Sequence, residues 1–342
     1  MPVVAFTVVG AVELRRLVID GDIGAVAGSP LVVVDDDEAG LLDGWAPGAF
    51  PAVFVARRAR GWDDVPPSDH PCDIVVAADD PLLPGVVDHV ERHPLAAVAA
   101  AVLLRSTPHI DVEAGLAAES AVYSMLQAGP EFTDWLRRRR PAAPVVDDEL
   151  PVLVERDGDT LTIVLNRAHS HNAVNESLRA ALVEALSIAV IDHDIATVVL
   201  RGNGPSFCSG GDLREFGSFP DVATAHAARL TRSPGRLAHL LRDRLRVELH
   251  GACLGAGIEV AAFAGTVTAA TGCRIGLPEL GIGLIPGAGG TVSVPRRIGR
   301  HRTLLLALSG EAIDEQTAAA WGLVDEIARR RRGPDRPTDD SL

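Results

Sequence analysis

The chain has 342 residues, with a hydrophobic content of 47% and a charged content of 23%, a composition typical of a soluble globular protein with room for two domains. Its formal net charge of −14, without a broad basic patch, argues against a nucleic-acid-binding surface. All 32 basic residues are arginine. This excludes chemistry based on a lysine Schiff base and leaves arginine or backbone amides to bind any phosphate.

The cysteines and the N-terminus indicate an intracellular protein without a metal centre. The four cysteines lack CxxC spacing, and we expect buried, reduced thiols at Cys72, Cys208, Cys253 and Cys273. No cluster of histidine, cysteine and aspartate has the spacing of metal ligands, so no metal is predicted. The first residues lack the order of a signal peptide, and no uncharged run reaches about 18 residues. The sequence therefore predicts a cytoplasmic protein that does not bind membranes.

Residues 1–80 show the pattern of a small α/β unit. Three short apolar runs, bounded by glycine, proline and aspartate, predict buried strands at residues 30–35, 51–56 and 73–77. A helical pattern over residues 12–20 precedes them. No glycine-rich motif followed by a glutamate occurs in this unit, so no active site is predicted there.

Residues 81–145 are helical in pattern. Helices are predicted over residues 82–105, 112–127 and 131–140, with a break in the first at Pro94. In the second helix, Glu113 and Glu119 are expected to point outward. The Pro-Ala-Ala-Pro linker at 141–144 separates this segment from the rest of the chain.

Residues 150–328 alternate between strand and helix patterns. A hairpin is predicted from residues 152–155 and 161–165, joined by Asp157-Gly158-Asp159. An amphipathic helix at 176–189 and a buried strand at 197–200 follow. The strand leads to a turn at Gly210-Gly211, where a ligand atom can approach the backbone closely. By itself such a glycine pair indicates an ordinary turn.

The stretch from His250 to Thr291 has the order of elements expected of an active site. A short apolar strand at 245–249 leads to the small-residue turn Gly255-Ala256-Gly257, and a buried helix is predicted over 258–264. The first amides of that helix have no partner within the helix and form a site for an anion. Glu259 lies in its first turn, and Glu279 follows 20 residues later. The two carboxylates can therefore converge on one point.

These motifs together resemble the crotonase (enoyl-CoA hydratase/isomerase) superfamily. The resemblance rests on HGACLGAGIE at 250–259, GLPELGIGLIPGAGGT at 276–291, LTIVLNRAHSHNAVN at 161–175 and VVLRGNGPSFCSGGDL at 198–213. It implies an α/β fold, with a crotonase-type ββα superhelix core at 150–328 that is preceded by an N-terminal α/β and helical extension. Residues 329–342 are predicted to form a flexible tail.

The resemblance also implies a reaction. The amides of Gly211 and Ala256 would form an oxyanion hole for a thioester oxygen. Glu259 would hold and deprotonate a water, and Glu279 would deliver a proton to C2, as in the hydration of a 2-enoyl-CoA. Coenzyme A is then part of the substrate, and no other cofactor is implied. Two alternatives stay open: isomerisation or another enolate-forming step on an acyl-CoA, and a catalytically inactive member that binds an acyl-CoA or a partner subunit.

Further substrate-binding positions follow from the same resemblance. They are Arg167, His169, Ser170, Ala173, Gly210, Asp212, Leu213, Gly255, Pro278 and Gly287. Asp212 is expected to cap the following helix rather than to catalyse. His169 and His171 are expected to be solvent-facing loop residues. The family resemblance implies a homo-oligomer, a trimer or a hexamer.

Residues 82–140 resemble the helical tail that normally follows a crotonase core. Only about 15 residues follow the closing segment 322–327, too few for such a tail. We therefore hypothesise that the covering helices lie upstream, through a permutation or as the remnant of a tandem copy. Residues 1–80 would then be a degenerate crotonase-like half. Within the core, residues 216–236 are expected to shape the acyl pocket or its lid.

Overall fold

The structure is a computed structural model that describes residues 8–10, 13–14, 16, 29–35, 47–48, 50–58, 70–140 and 149–328. Most of the predicted helix at 12–20, the linker at 141–144 and the tail at 329–342 lie outside the described residues.

A parallel four-stranded sheet lies in the first part of the chain. Its strands, in spatial order, are β1 (Val8–Val9), β2 (Leu31–Asp35), β3 (Val53–Arg58) and β4 (Ile74–Ala77). The three predicted strands are therefore confirmed to within two residues. Val33 and Val55 are paired and belong to the large apolar core, whereas Val32 and Phe54 belong to a second, smaller cluster. Both faces are covered, which explains why these strands are continuous apolar runs.

A run of helices follows the small sheet. It comprises α1 (Leu83–Arg92), α2 (Pro94–Ser106), α3 (Val112–Gln127) and α4 (Pro130–Arg138). The break predicted at Pro94 is confirmed, since His93 has the non-helical backbone angles φ −132° and ψ 58°. Asp111 caps α3 by accepting a hydrogen bond from the Ala114 amide. The sequence pattern thus placed each helix within two residues of its observed bounds.

The second part of the chain contains two sheets. Its strands are β5 (Val152–Asp157), β6 (Thr160–Leu165), β7 (Thr197–Gly202), β8 (Leu245–Leu249), β9 (Ala252–Leu254), β10 (Thr266–Ala270), β11 (Arg274–Gly276) and β12 (Glu326–Ala328). The six-stranded sheet has the order β12-β10-β8-β7-β6-β5, and β9 pairs with β11 in the second sheet. Only β5 runs antiparallel to its neighbour, as the predicted hairpin requires.

The helices of this part complete repeated ββα units. They are α5 (Glu176–Ile191), α6 (Val222–Thr231), α7 (Pro234–Leu240), α8 (Ala256–Ala261), α9 (Gly290–Ser309) and α10 (Glu315–Trp321). The units β8-β9-α8 and β10-β11-α9 follow each other, which confirms the α/β class and the superhelical ββα core. α9 kinks at Gly299, whose φ is 77°. Within the described ranges, none of the helices is both long and apolar enough to span a bilayer.

The upstream helices share one apolar core with the ββα part. Val86 of α1 and Leu104 of α2 belong to the same buried cluster as Leu304 and Leu308 of α9. The approach of α1 to α9 is close, because a Cβ on Gly85 would lie 2.5 Å from the Ser309 carbonyl oxygen. The helices therefore cover the core, while their origin as a relocated tail stays a prediction.

A buried ion cluster ties the small sheet to both sets of helices. Asp73, 1% exposed, accepts hydrogen bonds from the Phe54 amide at 2.9 Å and from the Arg105 guanidinium at 2.6 and 2.8 Å. The Arg300 guanidinium of α9 lies 3.6 Å from the same carboxylate. One acidic side chain thus compensates two largely buried cations.

Asp73→Ala should lower the free energy of unfolding by about 3 kcal/mol or more, because it leaves Arg105 and Arg300 without their counter-charge. Urea unfolding followed by circular dichroism measures this change. Asp134→Ala is the matched control, since it removes an exposed ion pair with Arg137 and should change stability by less than about 0.5 kcal/mol. Equal effects of the two substitutions would contradict the assigned role of Asp73.

Candidate active site

Two stretches of backbone run side by side at the centre of the ββα part. The Cys208 amide donates to the Ala252 carbonyl at 3.1 Å, and the Leu254 amide donates to the Cys208 carbonyl at 2.9 Å. The contact between the two stretches continues to Gly210 in the first and to Gly255 in the second. A Cβ on Gly255 would lie only 3.5 Å from the Gly210 Cα.

This pairing brings two backbone amides to one place. Val174 receives a hydrogen bond from Asp212 and donates one to the Gly210 carbonyl, so the Gly211 amide between them faces away from Val174. Ala256 is the first residue of α8, where helix amides have no partner within the helix. Neither amide donates a hydrogen bond to any residue that the structure describes. Gly211 and Ala256 both line a cavity of about 580 Å³.

Gly255 allows a carboxylate to approach the turn before α8. Its φ of +48° is in the region that favours glycine. A Cβ at this position would lie 2.2 Å from the Glu279 Oε1, a distance that no side chain could keep. Gly255 is therefore required by the position of Glu279, and it does not itself line the cavity.

Glu259 is held by the start of α9. Its side chain is 1% exposed, and its Oε2 accepts hydrogen bonds from the amides of Ala288 at 2.7 Å and Gly290 at 2.8 Å. Two amide donors at a helix N-terminus favour the ionised carboxylate. A Cβ on Gly290 would lie 2.7 Å from this oxygen, so the glycine makes the contact possible.

Glu279 lies in a 3₁₀ turn over Glu279–Ile282 and lines the same cavity. Its Oε2 is enclosed and has no hydrogen-bond partner among the residues that the structure describes. Burial raises the pKa of Glu279 to about 8. Its own backbone amide lowers the pKa, but burial outweighs this, so the carboxyl holds its proton near neutral pH.

A third carboxyl, Glu119 of α3, belongs to this cluster. The prediction that it points outward is wrong. Its side chain is 2% exposed, and it accepts hydrogen bonds from the Gly289 amide at 2.7 Å, the Thr291 amide at 2.8 Å and the Thr291 hydroxyl at 2.7 Å. α3 is covered by α9 on one side and by α6 on the other, so the face that a periodic pattern assigns to solvent is buried. Glu113, also predicted to point outward, is exposed and pairs with Arg236.

The three carboxyls affect one another. Burial, followed by the charges of Glu279 and Glu119, raises the pKa of Glu259, while the amides of Ala288 and Gly290 lower it. Burial also raises the pKa of Glu119 to about 7, against the hydrogen bonds from Thr291 and Gly289. The two amide donors favour the ionised form of Glu259, whereas the unpartnered Oε2 favours the protonated form of Glu279. The site can therefore hold one carboxylate as a base and one carboxyl as an acid.

The loop at residues 166–173, after β6, is held in place by buried polar contacts. Arg167 is 1% exposed, and its guanidinium donates to the Ala173 carbonyl at 2.5 Å and lies 3.4 Å from Asp212. Asp212 caps the 3₁₀ turn after it by accepting from the Arg214 amide, as predicted. Arg214 also donates to the Ser170 hydroxyl at 3.2 Å. The burial of Arg167 argues against direct contact between its side chain and a ligand.

The other predicted ligand positions divide into two groups. Six predicted site residues line the cavity, namely Gly211, Asp212, Ala256, Glu259, Glu279 and Gly287. Eight lie outside its lining, namely Arg167, His169, Ser170, Ala173, Gly210, Leu213, Gly255 and Pro278. His169 and His171 are exposed, as expected, and the His171 Nδ1 lies 3.0 Å from the Ser206 hydroxyl.

The outer wall of the cavity joins the core to the upstream helices. Residues 216–222 and α6 line it, in the segment that was predicted to shape a pocket. Phe216 packs against Phe132 and Trp135 of α4, with ring centroids 6.4 and 6.1 Å apart. From α6, the Arg229 guanidinium stacks on the Tyr123 ring at 4.8 Å. The core segment that contains Phe216 and the upstream helices α3 and α4 therefore enclose the cavity together.

Known proteins resemble the part of the chain that carries most of this site. A family model described as Enoyl-CoA hydratase/isomerase matches residues 155–332, which include Gly211, Ala256, Glu259 and Glu279. A 2,3-dehydroadipyl-CoA hydratase of Escherichia coli K12 is 36% identical over 178 residues, which are 52% of this chain and 68% of the relative. A probable enoyl-CoA hydratase of Mycobacterium tuberculosis is 31% identical over 191 residues, 56% and 70% of the two chains. A crystal structure of an enoyl-CoA hydratase from Thermoplasma volcanium GSS1, at 36% identity, covers 53% of this chain and 72% of that chain, with a TM-score of 0.48.

Glu279→Gln should make the protein more resistant to unfolding at alkaline pH. In the wild type, the folded-state pKa of about 8 lies above the ordinary value, so stability present at low pH is lost as the pH rises through 8. Glutamine does not ionise and escapes this loss. The loss takes place between the ordinary value and 8, so from about pH 5 to pH 9 the free energy of unfolding of the variant should rise relative to that of the wild type by on the order of 4 kcal/mol. Urea unfolding across this range tests the prediction, which parallel pH dependences of the two proteins would contradict.

Proposed function

Because this chain is an enzyme of the enoyl-CoA hydratase/isomerase family, we propose that it catalyses the reversible addition of water to a 2-enoyl-CoA. One observation carries the proposal: the carboxyls of Glu259 and Glu279 line the same cavity as the amides of Gly211 and Ala256. Relatives that are named as hydratases support this choice of reaction.

The two amides act on the thioester oxygen. Attack of water on C3 of the enoyl group moves negative charge onto this oxygen, and the amides of Gly211 and Ala256 stabilise that charge by donating hydrogen bonds to it. Each such donor contributes about 3 kcal/mol to lowering the barrier. Since neither amide has a partner in the described protein, no internal hydrogen bond must break for the substrate to bind.

The two carboxyls move the protons. Glu259, oriented by the amides of Ala288 and Gly290, takes a proton from water as the water oxygen forms a bond to C3. Glu279, which holds its proton near neutral pH, gives it to C2. Water has then added across the double bond, with Glu259 protonated and Glu279 ionised. Net transfer of one proton from Glu259 to Glu279, by exchange with solvent, restores the starting state. The reverse reaction eliminates water with the same groups in exchanged roles.

Coenzyme A enters as part of the substrate, and the proposal needs no further cofactor. Its nucleotide part would lie along the partly exposed loop at 166–173, where His169 is accessible and Arg214 donates a hydrogen bond to Ser170. Arg167 would act there indirectly, by holding the loop through Ala173 and Asp212. The acyl chain would extend toward the wall formed by Phe216 and α6.

Hydration of crotonyl-CoA tests the proposal, because the reaction removes the ultraviolet absorbance of the conjugated enoyl thioester. The wild type should bleach this absorbance, and Glu259→Gln and Glu279→Gln should each reduce kcat by about 10² to 10⁴-fold, since each loses one proton-transfer group. Both variants should still bind an acyl-CoA. Glu155→Gln, on the exposed side of β5, is the matched control and should keep full activity.

Other outcomes would separate the alternatives. A wild type that converts a 3-enoyl-CoA into a 2-enoyl-CoA without hydrating it would favour an isomerase. Tight acyl-CoA binding without either reaction would favour an inactive family member. Bleaching that survives in both glutamine variants would overturn the assignment of the two carboxyls.

Ala256→Pro removes one amide donor of the proposed oxyanion hole with little change to the fold. Proline is favoured at the first position of a helix, and Gly255 before it lacks a Cβ that would clash with the ring. We expect kcat to fall by about 10² to 10³-fold, with the thermal unfolding temperature nearly unchanged. Ala256→Gly is the matched control, because it retains the N–H and should keep activity within a few-fold. Equal activities of the two variants would argue against a donor at position 256.

A further inference from the structure

Two carboxylates divide between them the amides at the start of α9. Glu259 accepts hydrogen bonds from the amides of Ala288 and Gly290. Glu119 accepts from the amides of Gly289 and Thr291, which alternate with the first pair along the chain. Helix N-termini leave four amides without partners, and here four consecutive amides are bound by two acidic side chains.

The second of these side chains comes from outside the matched core. Glu119 lies on α3, and its contacts to Gly289 and Thr291 span 170 and 172 residues of sequence. The family model begins at residue 155, so the residues it matches do not include this carboxylate.

We propose that Glu119 is a positioning residue: it fixes the loop that orients the Glu259 carboxylate, and its negative charge acts on both Glu259 and Glu279. The proposal rests on the proposed function, because it assigns Glu119 a role toward the two proton-transfer groups named there. Glu119 itself contacts the protein rather than the reacting atoms.

The geometric part of the role follows from the loop sequence. Gly287-Ala288-Gly289-Gly290 contains three glycines, which impose few restrictions on the backbone. Glu119 accepts three hydrogen bonds, from the Gly289 amide and from the amide and hydroxyl of Thr291. It thereby fixes the direction of the neighbouring amides. The amides of Ala288 and Gly290 then point at Glu259. Shortening Glu119 should leave Glu259 poorly oriented.

The electrostatic part follows from what faces Glu119. The groups around it are Glu259 of α8, Glu279 of the 3₁₀ turn, Tyr123 of its own helix, and Arg229 and His226 of α6. Arg229 donates to Ser120, Ser124 and Gln127 rather than to Glu119, and His226 bonds to Ser120. The Arg229 charge lowers the pKa of Glu119, but no ion pair joins the two, so the Glu119 charge also acts on the two neighbouring carboxyls. It raises the pKa of both Glu259 and Glu279.

Two substitutions separate geometry from charge. Glu119→Gln removes the charge but also places an amide nitrogen, which cannot accept, opposite one of the donors, whereas Glu119→Asp keeps the charge and withdraws the carboxylate. A shift of the pH profile, which needs the loss of charge, therefore distinguishes the two roles. In Glu119→Gln, the loss of the charge should lower the pKa of both neighbours, so both limbs of the pH profile of kcat should move to lower pH by about one unit. In Glu119→Asp the limbs should stay in place, while kcat falls at least about tenfold because Glu259 is poorly oriented.

A second measurement needs no catalysis. ¹³C NMR of glutamate labelled at the side-chain carboxyl gives the titration of Glu259 and Glu279, with signals assigned from the two glutamine variants. Both should titrate about one unit lower in Glu119→Gln than in the wild type, and near their wild-type pH in Glu119→Asp. If the wild type proves inactive on enoyl-CoA, the proposed function fails, yet this titration still decides whether Glu119 acts on the pair. Hydrogen exchange of the α9 N-terminus should also accelerate in Glu119→Asp.

Unchanged titrations of both carboxyls in Glu119→Gln, within about 0.2 units, would overturn the electrostatic role. Unchanged exchange at the amides of 288–291, together with unchanged kcat in Glu119→Asp, would overturn the geometric one. Far-ultraviolet circular dichroism of each variant, compared with the wild type, identifies those that are folded for these comparisons.

Discussion

The site depends on hydrogen bonds between buried carboxylates and the backbone amides at the start of α9. A carboxylate taken out of water is costly, and the amides of a helix N-terminus are among the few protein donors that offset this cost without a cation. They bind Glu259 and Glu119 and leave Glu279 without donors at its Oε2. The glutamate carboxyls in this cavity therefore differ in their tendency to hold a proton, because their surroundings differ.

The small residues of the chain serve this arrangement. Gly255 and Gly290 stand where any Cβ would meet a glutamate oxygen at 2.2 and 2.7 Å, respectively. The parallel pairing of Cys208 with Cys253 then sets the two turns next to each other. Sheet register and the absence of side chains thus place the amides and carboxyls next to one another.

Local patterns in the sequence identify the four residues of the proposed oxyanion hole and carboxyl pair, all of which line the cavity. The spacing of Glu259 and Glu279 and the turns at Gly211 and Ala256 each lie in short segments, so periodicity and turn chemistry identify them. The burial of Glu119 was not predicted, because a helix pattern shows which face is apolar but not that a second layer covers the other face. A signal was present: α3 contains only two charged residues in 16, few for a helix with a solvated face. The burial of Arg167 escaped for a related reason, since its partners Ala173 and Asp212 meet it only after the loop folds.

Glu119 and the amides that donate to it, those of Gly289 and Thr291, are 170 and 172 residues apart in sequence, and this separation has a consequence for folding. Contacts of such length carry a loop-closure cost that is repaid only after both ends are ordered, so they form late. During synthesis, α3 emerges well before α9 and must wait, with an acidic group on an otherwise apolar surface, for its donors to be made. An ionised Glu119 on that face favours its hydration until the donors of Gly289 and Thr291 have been made.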